Sequence, residues 1–217
     1  MTRAEGQAEE RAERPGSGSP RRLEALIDGA FAIVMTIVVL EIEPPEGPPG
    51  EFPVQLAALA PTIWTFALVF VTLGALWFGN RTQSGLVGRA DHPLTWLNLL
   101  LVGLVALVPF SARFLITYPA DRTAVLWFAA HFTVIYLVHG AAWLYASLRP
   151  ELLRAGLSEA FLRRSRLATF VPAAVYAVAT GLAAISAIAG IVASLVVPVL
   201  LVSGLFYRGL ARIHARS

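Results

Sequence analysis

Asp28 is the first residue that could do chemistry in an apolar setting, about one turn inside the helix expected from residue 24 in RLEALIDGAFAIVMTIVVLEIEPP, residues 22–45. A carboxylate within a run of Ile, Val and Leu is costly unless it is paired or wetted, so it marks a polar network or an ion path. The positive end of the helix dipole, about a turn away, helps to keep it charged. Arg22 could close a network with it, although i, i+6 is not a same-face helical spacing. Asn98, at the start of the third apolar run, is a helix-bridging amide and a candidate partner for Asp28. His131 and His139 lie eight apart in the fourth run, about 80° around the helix from one another. As metal ligands they lack a nearby third, so hydrogen-bonded packing histidines are the expectation and no metal site is. Asp28 and the two histidines come from different runs with no nucleophile–base pair, so an intramembrane enzyme is not expected.

The elements that position these groups follow from composition. Of 217 residues, 57% are hydrophobic and 14% charged, where a soluble domain carries about a quarter charged. The apolar residues fall in long runs, which predicts an all-α integral membrane protein. Roughly 20 apolar residues cross a bilayer as helix, and six runs qualify: 24–42, 53–78, 93–117, 123–147, 166–186 and 189–208. The last two have almost no loop between them around Ser186 and Gly190. Pro61, Pro109, Pro172 and Pro198 fall inside spans, where neighbouring helices can satisfy the freed carbonyls. There is no cysteine, hence no disulfide and no thiolate metal site.

All 17 basic residues are arginine, and most sit between the apolar runs rather than along a stripe with interleaved aromatics, so no nucleic-acid partner is expected. Fifteen of them lie in the N-terminal tail, the connections 79–92 and 148–166, and the C-terminal end. Only Arg113 and Arg122 fall on the opposite side, beside an acidic first loop with Glu41, Glu43, Glu46 and Glu51. The positive-inside rule then puts both termini in the cytoplasm and makes the span number even. Residues 1–21, mixing Glu and Arg with Gly, Pro and Ser, read as a disordered cytoplasmic tail without the apolar core of a secretory signal. Residues 22–212 form the membrane domain and 213–217 a short cytoplasmic end.

On the first helix, Ile33, Ile37 and Leu40 fall within about 60° of one another, with Leu26 extending the stripe and Thr36 beside it. Asp28 projects to roughly the opposite side. Every face of this helix is apolar, so the spacing alone equally suits side chains facing lipid or packed on neighbours.

The motif in which the stripe sits narrows this. Arg22 followed by Leu26-Ile27-Asp28-Gly29, then Phe31-Ala32-Ile33 and Thr36 through Leu40-Glu41, resembles the first-helix signature of the transmembrane protein 175 family of potassium channels. Trp77 closing the second span, Trp96-Leu97-Asn98 opening the third and Pro109-Phe110 near its end are similar too. The resemblance implies a potassium-preferring cation leak channel in the cell membrane, a homotetramer with one first helix per subunit around the axis. By position it implies that Ile33 forms the main constriction with Ile37 and Leu40 above it, and that Thr36 contributes to selectivity. Arg22 and Asp28 would join a structural polar network at the cytoplasmic end. Leu26-Ile27 stands where the family has Phe-Ser, and Asn80-Arg81 where it often has a pair of histidines.

Such a pore has a physical account of its own. The spans hold neither a ring of carboxylates nor a TVGYG-type carbonyl filter. An ion at an isoleucine neck must shed part of its hydration shell or wait for the neck to wet, and potassium sheds water more cheaply than sodium. Weak selectivity and no cofactor beyond the permeant K+ are therefore expected. A secondary transporter is the competing class, but it would show internal repeats and polar groups meeting at mid-membrane, and the spans offer neither.

Overall fold

The structure, a computed structural model, describes residues 20–46, 48–196, 198 and 199. Among them it is all helical, with a single isolated bridge between Val87 and Leu153 in place of any strand. The helices are α1 (Pro20–Ile37), α2 (Phe52–Ala58), α3 (Ala60–Ser84), α4 (His92–Ala106), α5 (Val108–Thr117), α6 (Arg122–Ser147), α7 (Glu159–Ala168), α8 (Val171–Ala183) and α9 (Ala187–Ser194). Among the described residues five segments are long and apolar enough to cross a membrane: Arg21–Glu41, Ala60–Ser84, His92–Thr117, Arg122–Ser147 and Glu159–Ala183. Half of the sixth expected span, 189–208, lies outside the described residues, and the tail up to residue 19 and the end at 213–217 lie wholly outside them.

Proline sets the breaks. Pro61, Pro109 and Pro172 each stand at the second position of a new helix, in α3, α5 and α8. The missing N–H falls there among donors that have no intrahelical acceptor, so proline starts a helix at little cost. This moves the second span, expected over 53–78, to Ala60–Ser84, with α2 as a separate short helix before it. It also makes the third span a pair, α4 and α5, joined at Leu107. Side-chain caps mark other starts: Asp91 accepts from the Leu94 N–H at 3.0 Å, and Asp121 from Thr123 and Ala124 at 2.8 and 3.1 Å. Ser186 accepts from Ala189 N–H at 3.4 Å, which opens α9 and lets it pack back on α8.

The core is one apolar cluster running through the bundle, with α6 as its centre. Phe128, Phe132, Ile135 and Tyr136 of α6 are buried against Leu68, Val69 and Leu73 of α3, Leu101 and Val105 of α4, and Tyr176 of α8. The Tyr176 ring stacks on Phe132 and Tyr136, with centroids 5.3 and 5.7 Å apart. The two tyrosine hydroxyls reach Thr72, Tyr176 its hydroxyl at 3.2 Å and Tyr136 its carbonyl at 3.3 Å. Buried phenols thus find partners within the bundle, as low-dielectric surroundings require. At one end a second cluster of Val87, Ala90, Leu94, Ala142, Ala146 and Leu152 holds the connections together. There the Gly88 N–H donates to Leu152 O at 2.8 Å and the Arg154 N–H to Leu86 O at 2.9 Å.

Candidate functional site

α1 has two apolar faces with different surroundings. Ile27, Phe31, Val34 and Val38, at i, i+4, i+7 and i+11, are buried against α3, α4 and α5. On the other side Ile33 is 59% and Leu40 72% exposed within the single chain, and Leu26 and Ile37 are exposed with them. After Ile37 the helix tightens into a 3-10 turn, Val38–Glu41. In that geometry residues three apart eclipse, so Leu40 stacks over Ile37 and the exposed stripe continues to the end of the span. Thr36 is exposed beside the stripe, its hydroxyl 2.9 Å from both Ala32 O and Ile33 O. With its proton held by the backbone, that oxygen presents only lone pairs outward, a partner for a cation and not for an anion.

The stretch from Asp28, midway along α1, to Glu41, in the turn beyond it, is fastened at both ends to neighbouring spans. At the Asp28 end the Trp77 indole N–H donates to Asp28 Oδ1 at 2.8 Å, and Arg81 Nη1 lies 3.4 Å from Asp28 Oδ2. The Arg81 guanidinium also sits over the Trp77 ring, 5.9 Å from its centroid. At the other end Arg113 of α5 donates to Glu41 Oε2 at 2.9 Å. Asp28 thus pairs with two residues of α3. Arg22 is exposed and no bond joins it to Asp28 among the described residues. Asn98 is buried and donates instead to Leu94 O of its own helix at 2.8 Å. Trp77 was legible in the sequence only as the end of a span. The signal for its role is chemical: an indole N–H can only donate, and a half-buried carboxylate nearby is the acceptor it needs.

Glu24, Asp28, Asn80, Arg81, Ser84 and Arg154 line a polar cavity of about 250 Å³ beside the start of α1. Two carboxylates face two guanidiniums there, so the cavity is a neutral, wettable recess rather than a charged ring.

The two histidines of α6 differ. His131 Nε2 lies 3.1 Å from Leu104 O and its Nδ1 2.7 Å from Ser111 Oγ, while the Trp127 N–H donates to that same oxygen at 3.0 Å. The neutral tautomer protonated on Nε2 satisfies the whole chain, Trp127 to Ser111 to His131 to Leu104, and holds α6 across the break before Pro109. His139 is buried and makes no hydrogen bond among the described residues. No group of three His, Asp or Glu side chains with metal-holding geometry occurs among the described residues.

Comparison with known proteins is consistent across sequence and structure. The family model described as "Endosomal/lysosomal potassium channel TMEM175" matches residues 22–109, from the first helix to the proline that opens α5. A potassium channel of Chamaesiphon minutus is 33% identical over 147 residues, 65% of this chain and 72% of the relative. A potassium channel of Streptomyces collinus is 29% identical over 171 residues, 76% of this chain and 83% of the relative. The crystal structure of a lysosomal potassium-selective channel TMEM175 homologue from Chamaesiphon minutus superposes with a TM-score of 0.71 at 30% identity. That match covers 84% of this chain and 96% of the other.

Proposed function

This chain belongs to the TMEM175 family of ion channels, and from that premise we propose that it is a potassium-preferring cation leak channel with an apolar neck. The observation that carries the reading is the exposed stripe of α1. Ile33, Ile37 and Leu40 stand clear of the protomer's own core although the opposite face of the same helix is fully packed. A single lining helix cannot enclose a pore, so the reading needs a ring of subunits, and we take the ring to be a homotetramer with α1 of each copy at the axis.

In this reading Ile33 forms the main constriction, and Ile37 and Leu40 continue the apolar wall above it. Potassium enters by shedding part of its shell, at less cost than sodium. Thr36 contributes the one oxygen beside the neck, and its lone pairs replace lost water for a cation while giving an anion nothing to bind. Asp28 with Trp77 and Arg81 positions the helix rather than the ion. Arg22 and Asn98 belong at the same end of the span as supporting polar groups. The chain crosses the cell membrane six times with both termini in the cytoplasm, the sixth crossing at about residues 189–208. The permeant K+ is its partner in transport, and no cofactor takes part in the permeation step.

The test is the reversal potential of the purified protein in a planar bilayer with potassium on one side and sodium on the other. A reversal displaced toward the potassium equilibrium value is the expected result. Electrical silence together with coupled solute uptake in liposomes would overturn it in favour of a transporter.

A further inference from the structure

The polar recess beside the start of α1 carries two charges of opposite sign that do not meet. Asp28 and Arg81 on its wall pair with each other at 3.4 Å. Glu24 and Arg154 line the same space of about 250 Å³, yet neither has an ion-pair partner among the described residues. Arg154 places only its Nε on a neighbour, 3.5 Å from Val87 O, so both terminal nitrogens stay free. A carboxylate and a guanidinium thus face one recess but stand too far apart to pair.

A second cavity of about 40 Å³ adjoins the recess and runs deeper between α1, α3, α4 and α6. Glu24, Asn80 and Ser84 stand on the walls of both. Asn98, 7% exposed, lines the deeper one, and because its Nδ2 donates to Leu94 O, its Oδ1 is left without a partner among the described residues. Asn80, 6% exposed, meets only the Ser84 hydroxyl, at 3.5 Å from its Oδ1, which leaves its Nδ2 free. Both atoms keep surface open to the cavities they line. No Arg or His lines the deeper cavity. The inner part therefore offers acceptors to a cation, Glu24 and Asn98 Oδ1, and the outer part offers donors to an anion, Arg154 and Asn80 Nδ2.

The depth suits a lipid headgroup. Glu24 lies near the start of the membrane-scale segment Arg21–Glu41, and Ser84 is the last residue of Ala60–Ser84, so the two cavities open where both segments end. A guanidinium matches a phosphate by charge and by geometry. An ammonium has three N–H donors for the acceptors within.

We propose that the two cavities together hold a phosphoethanolamine group, its ammonium on Glu24 and Asn98 Oδ1 and its phosphate on Arg154 and Asn80 Nδ2. Binding of this group is independent of whether the chain conducts, so failure here and failure of the channel reading are separate results.

The experiment is native mass spectrometry of the full chain in detergent with phosphatidylethanolamine, phosphatidylcholine and phosphatidylglycerol of the same acyl chains. Phosphatidylethanolamine is expected to be retained about tenfold more strongly than the other two, because choline has no N–H and glycerol has no charge for the inner acceptors. Glu24→Gln should bring phosphatidylethanolamine close to parity with phosphatidylcholine, and Asn98→Leu reads the same loss if the first variant does not fold. Arg154→Gln should weaken phosphatidylethanolamine about tenfold through the phosphate. Displacement by excess soluble phosphoethanolamine would show that the headgroup alone suffices, whereas a preference that survives this competitor assigns the site to the intact lipid. Equal retention of the three lipids overturns the proposal and leaves the recess to water. So does a phosphatidylethanolamine preference that persists in both Glu24→Gln and Asn98→Leu, which would place the lipid elsewhere.

Discussion

The Trp77 indole N–H meets Asp28 Oδ1 at 2.8 Å, and this bond, between residues 49 apart in sequence, fixes the middle of α1 to α3. The neighbouring Arg81 contact is longer, at 3.4 Å, between side chains 64% and 40% exposed, so it contributes little. Trp77→Phe is therefore expected to lower stability by about 1 to 2 kcal/mol. Asp28→Asn keeps an acceptor for the indole and should cost less than Trp77→Phe. Thermal unfolding in detergent ranks the two, and the reverse order would show that charge, not the indole bond, holds the helix.

The two faces of α1 should respond to substitution in different currencies. Phe31→Ala empties a fully packed position and is expected to cost about 3 to 5 kcal/mol. Ile33→Ser, on the exposed face, should leave unfolding nearly unchanged and raise cation flux from potassium-loaded liposomes. An unaltered flux in Ile33→Ser would place the neck elsewhere.

Thr36→Val keeps the shape of the stripe and removes its one outward oxygen. Stability should stay within about 0.5 kcal/mol. The potassium-over-sodium permeability ratio, read from bi-ionic reversal potentials, should fall. A ratio that holds steady would assign selectivity to the apolar neck alone.

His131→Phe fits the packing but removes the acceptor of the Ser111 hydroxyl proton and one of two donors to Leu104 O, which keeps the Leu107 N–H. A loss of about 1 to 3 kcal/mol is expected. Ser111→Ala should cost no more, and the double variant less than the sum, because the two act in one chain. Additive losses in a thermal double-mutant cycle would contradict the shared chain.

Gly190 is where α9 meets α8: a Cβ there would approach the Ala183 Cβ to 2.6 Å and the Ala183 Cα to 2.9 Å. Because backbone is among the blocking atoms, Gly190→Ala is expected to cost about 1 to 3 kcal/mol. Gly103→Ala, with open space around it, should be neutral or slightly stabilising. Equal melting temperatures for the two would mean that α8 and α9 sit further apart in the membrane.

How much of this was legible in the sequence depends on how local the signal is. The helical character and the membrane-scale runs follow from composition and length, and the stripe Ile33, Ile37 and Leu40 from the helical period. The period could not say which apolar face of α1 is packed, because Phe31 and Val34 are as apolar as Ile33, and only the neighbours decide. Asp28 was legible as a residue that needs a partner, but the partner was not. Trp77 and Arg81 reach it across a helix interface, and nothing in residues 22–45 encodes their approach. The prolines were visible as lying inside spans, but not that each of Pro61, Pro109 and Pro172 takes the second position of a separate helix. His131 and His139 look alike in sequence. They differ because one lies opposite Ser111 and the other opposite a glycine.

Because the stretch from Asp28, midway along α1, to Glu41, in the turn beyond it, is tied to α3 at one end and to α5 at the other, it behaves as a stave pinned at both ends. A stave so held can bow at its middle but cannot swivel about its long axis without breaking a pin. Exchanging Ile33 for the packed face by rotation is thus a costly motion, whereas a small outward bow leaves both pins closed. In the proposed pore, widening is then a matter of flexure: its stiffness is set by the side chains behind Phe31 and Val34, and it can be tuned from the packed face without touching the exposed stripe.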